Sequence, residues 1–128
     1  MKKQIITTNK APEPIGPYNQ AIKIDKMLFI SGQIPMTNSM ELIQNNLRKE
    51  TKQVMENLNA ILKEADMNFD NVVKTSIFID NMENFQIVNE EYGKYFRDGN
   101  EPARETVAVK TLPKNARVEI SMIAHQGN

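Results

Sequence analysis

The chain of 128 residues contains no cysteine, no tryptophan and a single histidine, His125. The lack of cysteine excludes a thiol nucleophile, a thiolate-bound metal site and any disulfide. One histidine near the C-terminus is a poor basis for a histidine metal site or a Ser–His–Asp triad, so we expect no metal. Lysine plus arginine and aspartate plus glutamate number 16 each, which argues against a nucleic-acid partner. We therefore expect chemistry based on carboxylates, guanidinium groups, hydroxyls and the backbone.

Long hydrophobic runs are also missing. No stretch approaches the roughly 18 apolar residues that a membrane helix needs. The basic N-terminal residues are not followed by the apolar run of a signal peptide. The five glycines are scattered, and none opens a phosphate-binding loop. The length and these absences predict one domain over residues 1–128, cytoplasmic and without a membrane partner.

Two helices and six strands are predicted from the spacing of apolar residues. Three- and four-residue steps indicate helices from Leu47 to Ala65 and from Phe85 towards Gly99. Strands are expected at Lys2–Thr8, Ala21–Ile24, Met27–Ile30, Val72–Ile79, Thr106–Lys110 and Arg117–His125. A strand–helix–strand unit between hairpins implies a mixed sheet. Two helices cover only one face of such a sheet, so we expect an α+β fold whose other face meets solvent or a partner chain.

Side-chain patterns predict which residues share a face. In the strand Val72–Ile79, alternation places Val73, Thr75, Ile77 and Ile79 on one face. The aromatic stripe from Phe85 to Phe96 in the second helix is interpreted as core rather than as a binding surface.

Two charged residues are candidates for chemistry. Arg104 stands where a loop enters an apolar strand, and its planar guanidinium can bind a carboxylate through two hydrogen bonds. A surface ion pair with Glu105 or Glu101 is the simpler interpretation. Glu119 lies between two apolar residues of the last strand. It either pairs with Arg117 on the same face or orients and deprotonates a water molecule.

Two turns offer further candidates. Three prolines between Ala11 and Pro17 exclude a helix or a central strand, and the resulting loop presents Tyr18. The Tyr18 ring either caps a pocket or packs the loop onto the core. Ser31 and Gly32 follow an apolar strand. Gly32 either lets a ligand approach the main chain or forms an ordinary turn or bulge.

Several motifs occur together in order along nearly the whole chain. They are Ile15-Gly16-Pro17-Tyr18, Ile30-Ser31-Gly32-Gln33-Ile34-Pro35, Pro102-Ala103-Arg104, Leu112-Pro113 and Val118-Glu119-Ile120. With these motifs the chain resembles the RidA family (reactive intermediate deaminase A, also called the YjgF type). The resemblance implies a chorismate-mutase-like α+β fold that assembles as a homotrimer, with pockets in the clefts between subunits.

The implied activity is the hydrolysis of 2-imino acids, such as 2-iminobutanoate and 2-iminopropanoate, to 2-oxo acids and ammonia without a cofactor. In that reading Arg104 binds the carboxylate of the substrate and Glu119 holds the attacking water. Gly32 contributes main-chain groups, while Tyr18 and Ser31 shape the pocket.

Two positions depart from the family pattern. Thr106 replaces a cysteine that many members carry, and Glu105 adds a negative charge next to Arg104. If the Glu105 side chain pointed inward, it would compete with the substrate for Arg104. The alternative function is a non-catalytic trimeric module that binds small carboxylates as a sensor or chaperone-like protein. A ribonuclease or translation inhibitor fits the balanced charge and the single histidine poorly.

Overall fold

The protein is described by a computed structural model over residues 2–127. The strands are β1 (Gln4–Ile6), β2 (Ala21–Ile24), β3 (Met27–Gln33), β4 (Val72–Ile79), β5 (Ala103–Ala108) and β6 (Val118–His125). The helices are α1 (Leu47–Glu64) and α2 (Phe85–Gly93). In residues 2–127, no helix combines the length and the apolarity that crossing a bilayer requires.

The six strands form one sheet in the order β1-β2-β3-β6-β4-β5. Strands β4 and β5, which flank α2, pair in parallel, and the other neighbours are antiparallel. The mixed α+β sheet with two helices is therefore confirmed. Several boundaries differ from the prediction. Strand β1 is shorter at both ends, and β3 extends to Gln33. The helix α2 ends at Gly93 rather than near Gly99, and β5 begins at Ala103 rather than at Thr106. Arg104 consequently lies within a strand.

Local chemistry explains how the main elements begin and turn. Asn46 caps α1 by accepting a hydrogen bond from the Lys49 N–H at 3.0 Å. The β2–β3 hairpin turns at Asp25 and Lys26 without a glycine. Asp25 makes this possible because it adopts a φ of 53°, a left-handed conformation that aspartate tolerates better than most residues.

The core lies between the helices and one face of the sheet. Its fully buried side chains include Leu28, Leu58, Ile61, Ile77 and Ile120. In the last strand, every second residue from Val118 onward is buried, and the residues between them are half-buried on the opposite face.

Two of the side-chain predictions were wrong: Val73 does not share a face with Thr75 and Ile77, and Phe85 does not lie in the core. The pairing of β4 with β6 contains an irregularity that inserts one extra residue between Val72 and Lys74. Such an insertion exchanges the two faces, so Val72 is buried while Val73 is 47% exposed. Phe85, at the start of α2, is 38% exposed and lies outside the core.

Candidate functional site

A small pocket opens on the sheet face away from the helices, between the proline-rich loop, the end of β3 and β6. Its volume is about 140 Å³. Three of the predicted site residues, Tyr18, Gly32 and Glu119, line it. The rest of the wall is largely apolar and includes Pro12, Pro14, Ile15, Ile34, Met36 and Pro113.

Glu119 is the half-buried carboxylate of this pocket, and the exposed Glu13 of the proline-rich loop lines it as well. Burial raises the pKa of the Glu119 carboxyl above the ordinary value for glutamate. No hydrogen-bond or ion-pair partner meets this carboxylate within residues 2–127. A raised pKa and free oxygen atoms suit a group that accepts a proton from a bound water.

The backbone of β3 is shaped to make room for this carboxylate. Between Ile30 and Gln33 the pairing with β6 shifts by one residue, so Ser31 and Gly32 together face Ser121 as a bulge. A Cβ atom on Gly32 would lie 2.8 Å from Cδ and Oε2 of Glu119. Position 32 therefore needs glycine because the Glu119 carboxyl occupies the space of a side chain.

The proline-rich loop is held against the sheet by Gln20, a residue that the sequence analysis did not single out. Gln20 is 2% exposed, and its amide nitrogen donates to the carbonyl oxygens of Thr8 at 3.0 Å and Pro12 at 2.9 Å. Its amide oxygen accepts from the Thr8 N–H at 2.8 Å. One buried amide thus replaces the backbone pairing that a loop rich in proline cannot make by itself.

Tyr18 and Ser31 complete the loop. The Tyr18 hydroxyl accepts a hydrogen bond from the Ile15 N–H at 3.2 Å, and the ring stays 47% exposed beside the pocket. The Ser31 hydroxyl donates to the carbonyl oxygen of Asn19 at 2.6 Å. Ser31 does not line the pocket of this chain, and its hydroxyl connects β3 to the loop that carries Tyr18.

Arg104 lies elsewhere, beside α2. Its guanidinium carbon is 5.1 Å from the ring centre of Tyr92 and 5.8 Å from that of Phe85. The ion pair with Glu105 or Glu101 that the sequence suggested is absent from residues 2–127. The Glu105 carboxylate instead contacts the Lys74 ammonium at 2.9 Å and the Ser76 hydroxyl. These partners lower the pKa of Glu105. The Glu105 carboxylate therefore does not compete with a ligand for Arg104.

The expected pairing of Glu119 with Arg117 was also wrong. Arg117 turns towards α1, where its Nε donates to Oε1 of Glu50 at 3.0 Å and its Nη2 contacts the second carboxylate oxygen. Glu50 is 2% exposed and also accepts from the Asn46 N–H at the start of the helix. Because Arg117 is committed to Glu50, the carboxylate of Glu119 stays free.

The two charged candidates lie on opposite faces of the sheet. Arg104 is level with Thr75 of β4, which is fully buried beneath α2. Glu119 is level with Phe78, three residues further along β4 and therefore on the other face. One chain thus carries two separate groups, a pocket with Glu119 and a lone guanidinium, and does not bring them together.

Two further observations concern the neighbourhood. The hydroxyl oxygen of Thr106, on β5, is buried without a hydrogen-bond partner in the described part of the chain. Among residues 2–127, no group of three or more histidine, aspartate or glutamate side chains is arranged to hold a metal ion.

Comparison with known proteins finds relatives that match nearly the whole chain in sequence and in structure. The family model "Endoribonuclease L-PSP" matches residues 8–126. The mouse protein named 2-iminobutanoate/2-iminopropanoate deaminase is 44% identical over 98% of this chain and 93% of its own length. A crystal structure from the Rid family of Yersinia pestis is 46% identical, with a TM-score of 0.93 over 97% of this chain and 99% of that one. E. coli TdcF with bound serine is 33% identical, with a TM-score of 0.91 over 97% and 99%.

Proposed function

Because the chain belongs to the endoribonuclease L-PSP family, which includes the RidA and YjgF-type proteins, we propose that it hydrolyses 2-iminobutanoate and 2-iminopropanoate to 2-oxo acids and ammonia. The observation that carries this proposal is the pocket with the unpaired, half-buried carboxylate of Glu119. The unpaired guanidinium of Arg104 supports it, since every substrate of this class is a carboxylate.

The proposal includes an assembly, because Arg104 and Glu119 occupy opposite faces of the sheet. In a homotrimer, the half-exposed sheet face of one subunit meets the edge of the next. The cleft between them then combines Tyr18, Gly32 and Glu119 of one copy with Arg104 of its neighbour. A closed ring is the natural outcome of such a heterologous contact. The exposed apolar side chains on that face, Phe29 and Val73 among them, fit burial against a partner.

The reaction follows from these groups. Arg104 binds the carboxylate of the imine through two N–H groups and fixes C2 near Glu119. Glu119 takes a proton from water as the water oxygen adds to C2, the C=N electron pair moves to nitrogen, and Glu119 returns the proton to that nitrogen. The carbinolamine then collapses: Glu119 takes the hydroxyl proton and passes it to nitrogen, C=O forms, and the C–N bond breaks to release neutral ammonia. The imine is already electrophilic, so positioning and proton transfer suffice without a covalent intermediate.

A coupled assay tests the activity. Threonine dehydratase supplies 2-iminobutanoate, and we expect added protein to accelerate the appearance of 2-oxobutanoate. Replacing Arg104 with alanine removes the carboxylate anchor and should abolish the acceleration. The matched control is Arg48→Ala, which removes a surface arginine paired with Glu90 and Glu91 and should leave the rate unchanged. No acceleration at a stoichiometric amount of the folded original chain would refute the deaminase. Saturable binding of 2-oxobutanoate without turnover would indicate the non-catalytic module instead.

Mixing variants tests the shared cleft. Alone, Arg104→Ala and Glu119→Ala subunits are each expected to lose at least about 100-fold in activity. When they are unfolded and refolded together, roughly a quarter of the clefts should combine an intact Arg104 with an intact Glu119. Recovery of activity in the mixture supports a site built from two subunits. A mixture as inactive as its components would contradict it.

A further inference from the structure

We propose that Phe85 and Tyr92 are positioning residues, whose ring faces hold the Arg104 guanidinium ready for the carboxylate of the substrate. The contact between Arg104 and the two rings is a feature of one subunit. Its effect on substrate binding rests on the proposed function.

Both rings lie within the range of a cation–π contact. The guanidinium carbon is 5.1 Å from the centre of the Tyr92 ring and 5.8 Å from that of Phe85, and such contacts are effective to about 6 Å. The two rings differ in burial, since Tyr92 is 4% exposed and Phe85 is 38% exposed. Tyr92 thus supplies the fixed inner support, and Phe85 supplies the outer one next to solvent.

The inner ring is itself immobilised. The Tyr92 hydroxyl donates to Oγ1 of Thr75 at 3.0 Å, and Thr75 lies directly level with Arg104 on the neighbouring strand. The ring also packs against Phe96, with the ring centres 4.8 Å apart. Burial raises the pKa of the Tyr92 hydroxyl, so the hydroxyl stays protonated and keeps this hydrogen bond at neutral pH.

Aromatic support has a chemical advantage over an ion pair at this place. A carboxylate partner would occupy the N–H groups of the guanidinium, and those are the groups that a substrate carboxylate must bind. A ring face attracts the same cation through its π electrons and leaves the N–H edge of the plane free. The surrounding acids fit this division. Glu105 is paired with Lys74, and Glu101 accepts from the Gly99 N–H.

The test reduces the negative potential of the ring face and leaves the ring volume almost unchanged. Phenylalanine with one, two and three fluorine atoms is incorporated at position 85, which weakens the π face step by step. We expect the Kd for 2-oxobutanoate and the KM in the coupled dehydratase assay to rise together with each fluorine, by about two- to five-fold over the series. The kcat should stay constant. The same series at Phe69, whose ring packs against Tyr95 and Phe96 and not against Arg104, should leave the Kd and the KM unchanged.

A second measurement separates this inference from the proposed function. In a ¹H–¹⁵N spectrum of the unliganded protein, the Arg104 Nε–H resonance, assigned with Arg104→Lys, should shift in Phe85→Leu because the ring current is lost. Tyr92→Phe, which keeps the ring, should preserve it. If the chain hydrolyses no imine but this shift occurs, the proposed function is wrong while the contact of Arg104 with the two rings is supported. An unchanged resonance, or a Kd and KM that do not change with fluorination in an active enzyme, would refute the positioning role of Phe85 and Tyr92.

Discussion

The close approach of Glu119 to Gly32 gives a sharp test of the pocket. A Cβ atom on residue 32 would lie 2.8 Å from Cδ and Oε2 of Glu119 and 3.0 Å from Cγ. An ordinary contact begins at 3.4 Å, so the carboxyl must move by roughly 0.6 Å in Gly32→Ala. The backbone at position 32 does not have a left-handed φ, so alanine fits the strand. The change should therefore displace the carboxylate without unfolding the chain.

The size of the effect follows from that displacement. A misplacement of about 1 Å costs up to roughly 100-fold in rate, and losing a general base costs about 10²–10⁴-fold. We expect Gly32→Ala to lower kcat in the coupled assay by about 10- to 100-fold, which is less than the loss in Glu119→Ala. Circular dichroism and sedimentation should match the original chain.

Two comparisons make the reasoning refutable. In the double variant Gly32→Ala/Glu119→Ala, the alanine at position 32 should cost nothing further, because the group that it displaces is gone. Gly93→Ala is the matched control, since a Cβ atom there meets no atom within 4 Å, and its activity should be unchanged. Full activity in Gly32→Ala, or losses that simply multiply in the double variant, would show that Gly32 does not act by making room for Glu119.

Two other predictions concern stability. The raised pKa of Glu119 means that its charged form is unfavourable in the folded chain, so this residue costs stability once the pH exceeds the ordinary pKa of glutamate. In urea titrations at equal protein concentration, Glu119→Gln should match the original chain at about pH 4 and exceed it at about pH 8; equal stability at both pH values would contradict this. Gln20→Leu leaves the Thr8 N–H and the Thr8 and Pro12 carbonyls without their partner, and should lower the free energy of unfolding by at least about 2 kcal/mol. Proteolysis confined to residues 9–17 should accompany that loss, and an intact loop in the variant would refute the role of Gln20.

Periodicity was sufficient for α1, β4 and β6 because each has one clearly buried face, whereas β5, predicted to begin three residues too late, has no buried residue. The spacing from Leu47 located α1, and the two short apolar runs around Asp25 located the β2–β3 hairpin. It failed at Val73, where one inserted residue exchanges the faces of the strand. A bulge depends on the register of the neighbouring strand, which a local pattern does not contain.

The site was predictable only in its residue types. Arg104 and Glu119 were selected by their chemistry and by the family motif, but their partners are distant in sequence. Arg117 pairs with Glu50, 67 residues away in the sequence, and Arg104 contacts the rings of α2. Ion pairs with neighbouring acids had been the simpler prediction for both. The burial of Gln20 could not be predicted, because glutamine is usually exposed and only the folded loop around it makes it buried.

The hydrogen bonds of the Gln20 amide also affect how fast a ligand can bind in the pocket. A loop with several prolines has few conformations to lose, and the hydrogen bonds of the buried Gln20 amide with Thr8 and Pro12 fix those that remain. The entropy of ordering this wall of the pocket is therefore lost on folding and not when a ligand arrives. If the chain hydrolyses imines as proposed, the substrate meets a wall that is already formed, and its capture is set by diffusion and local charge.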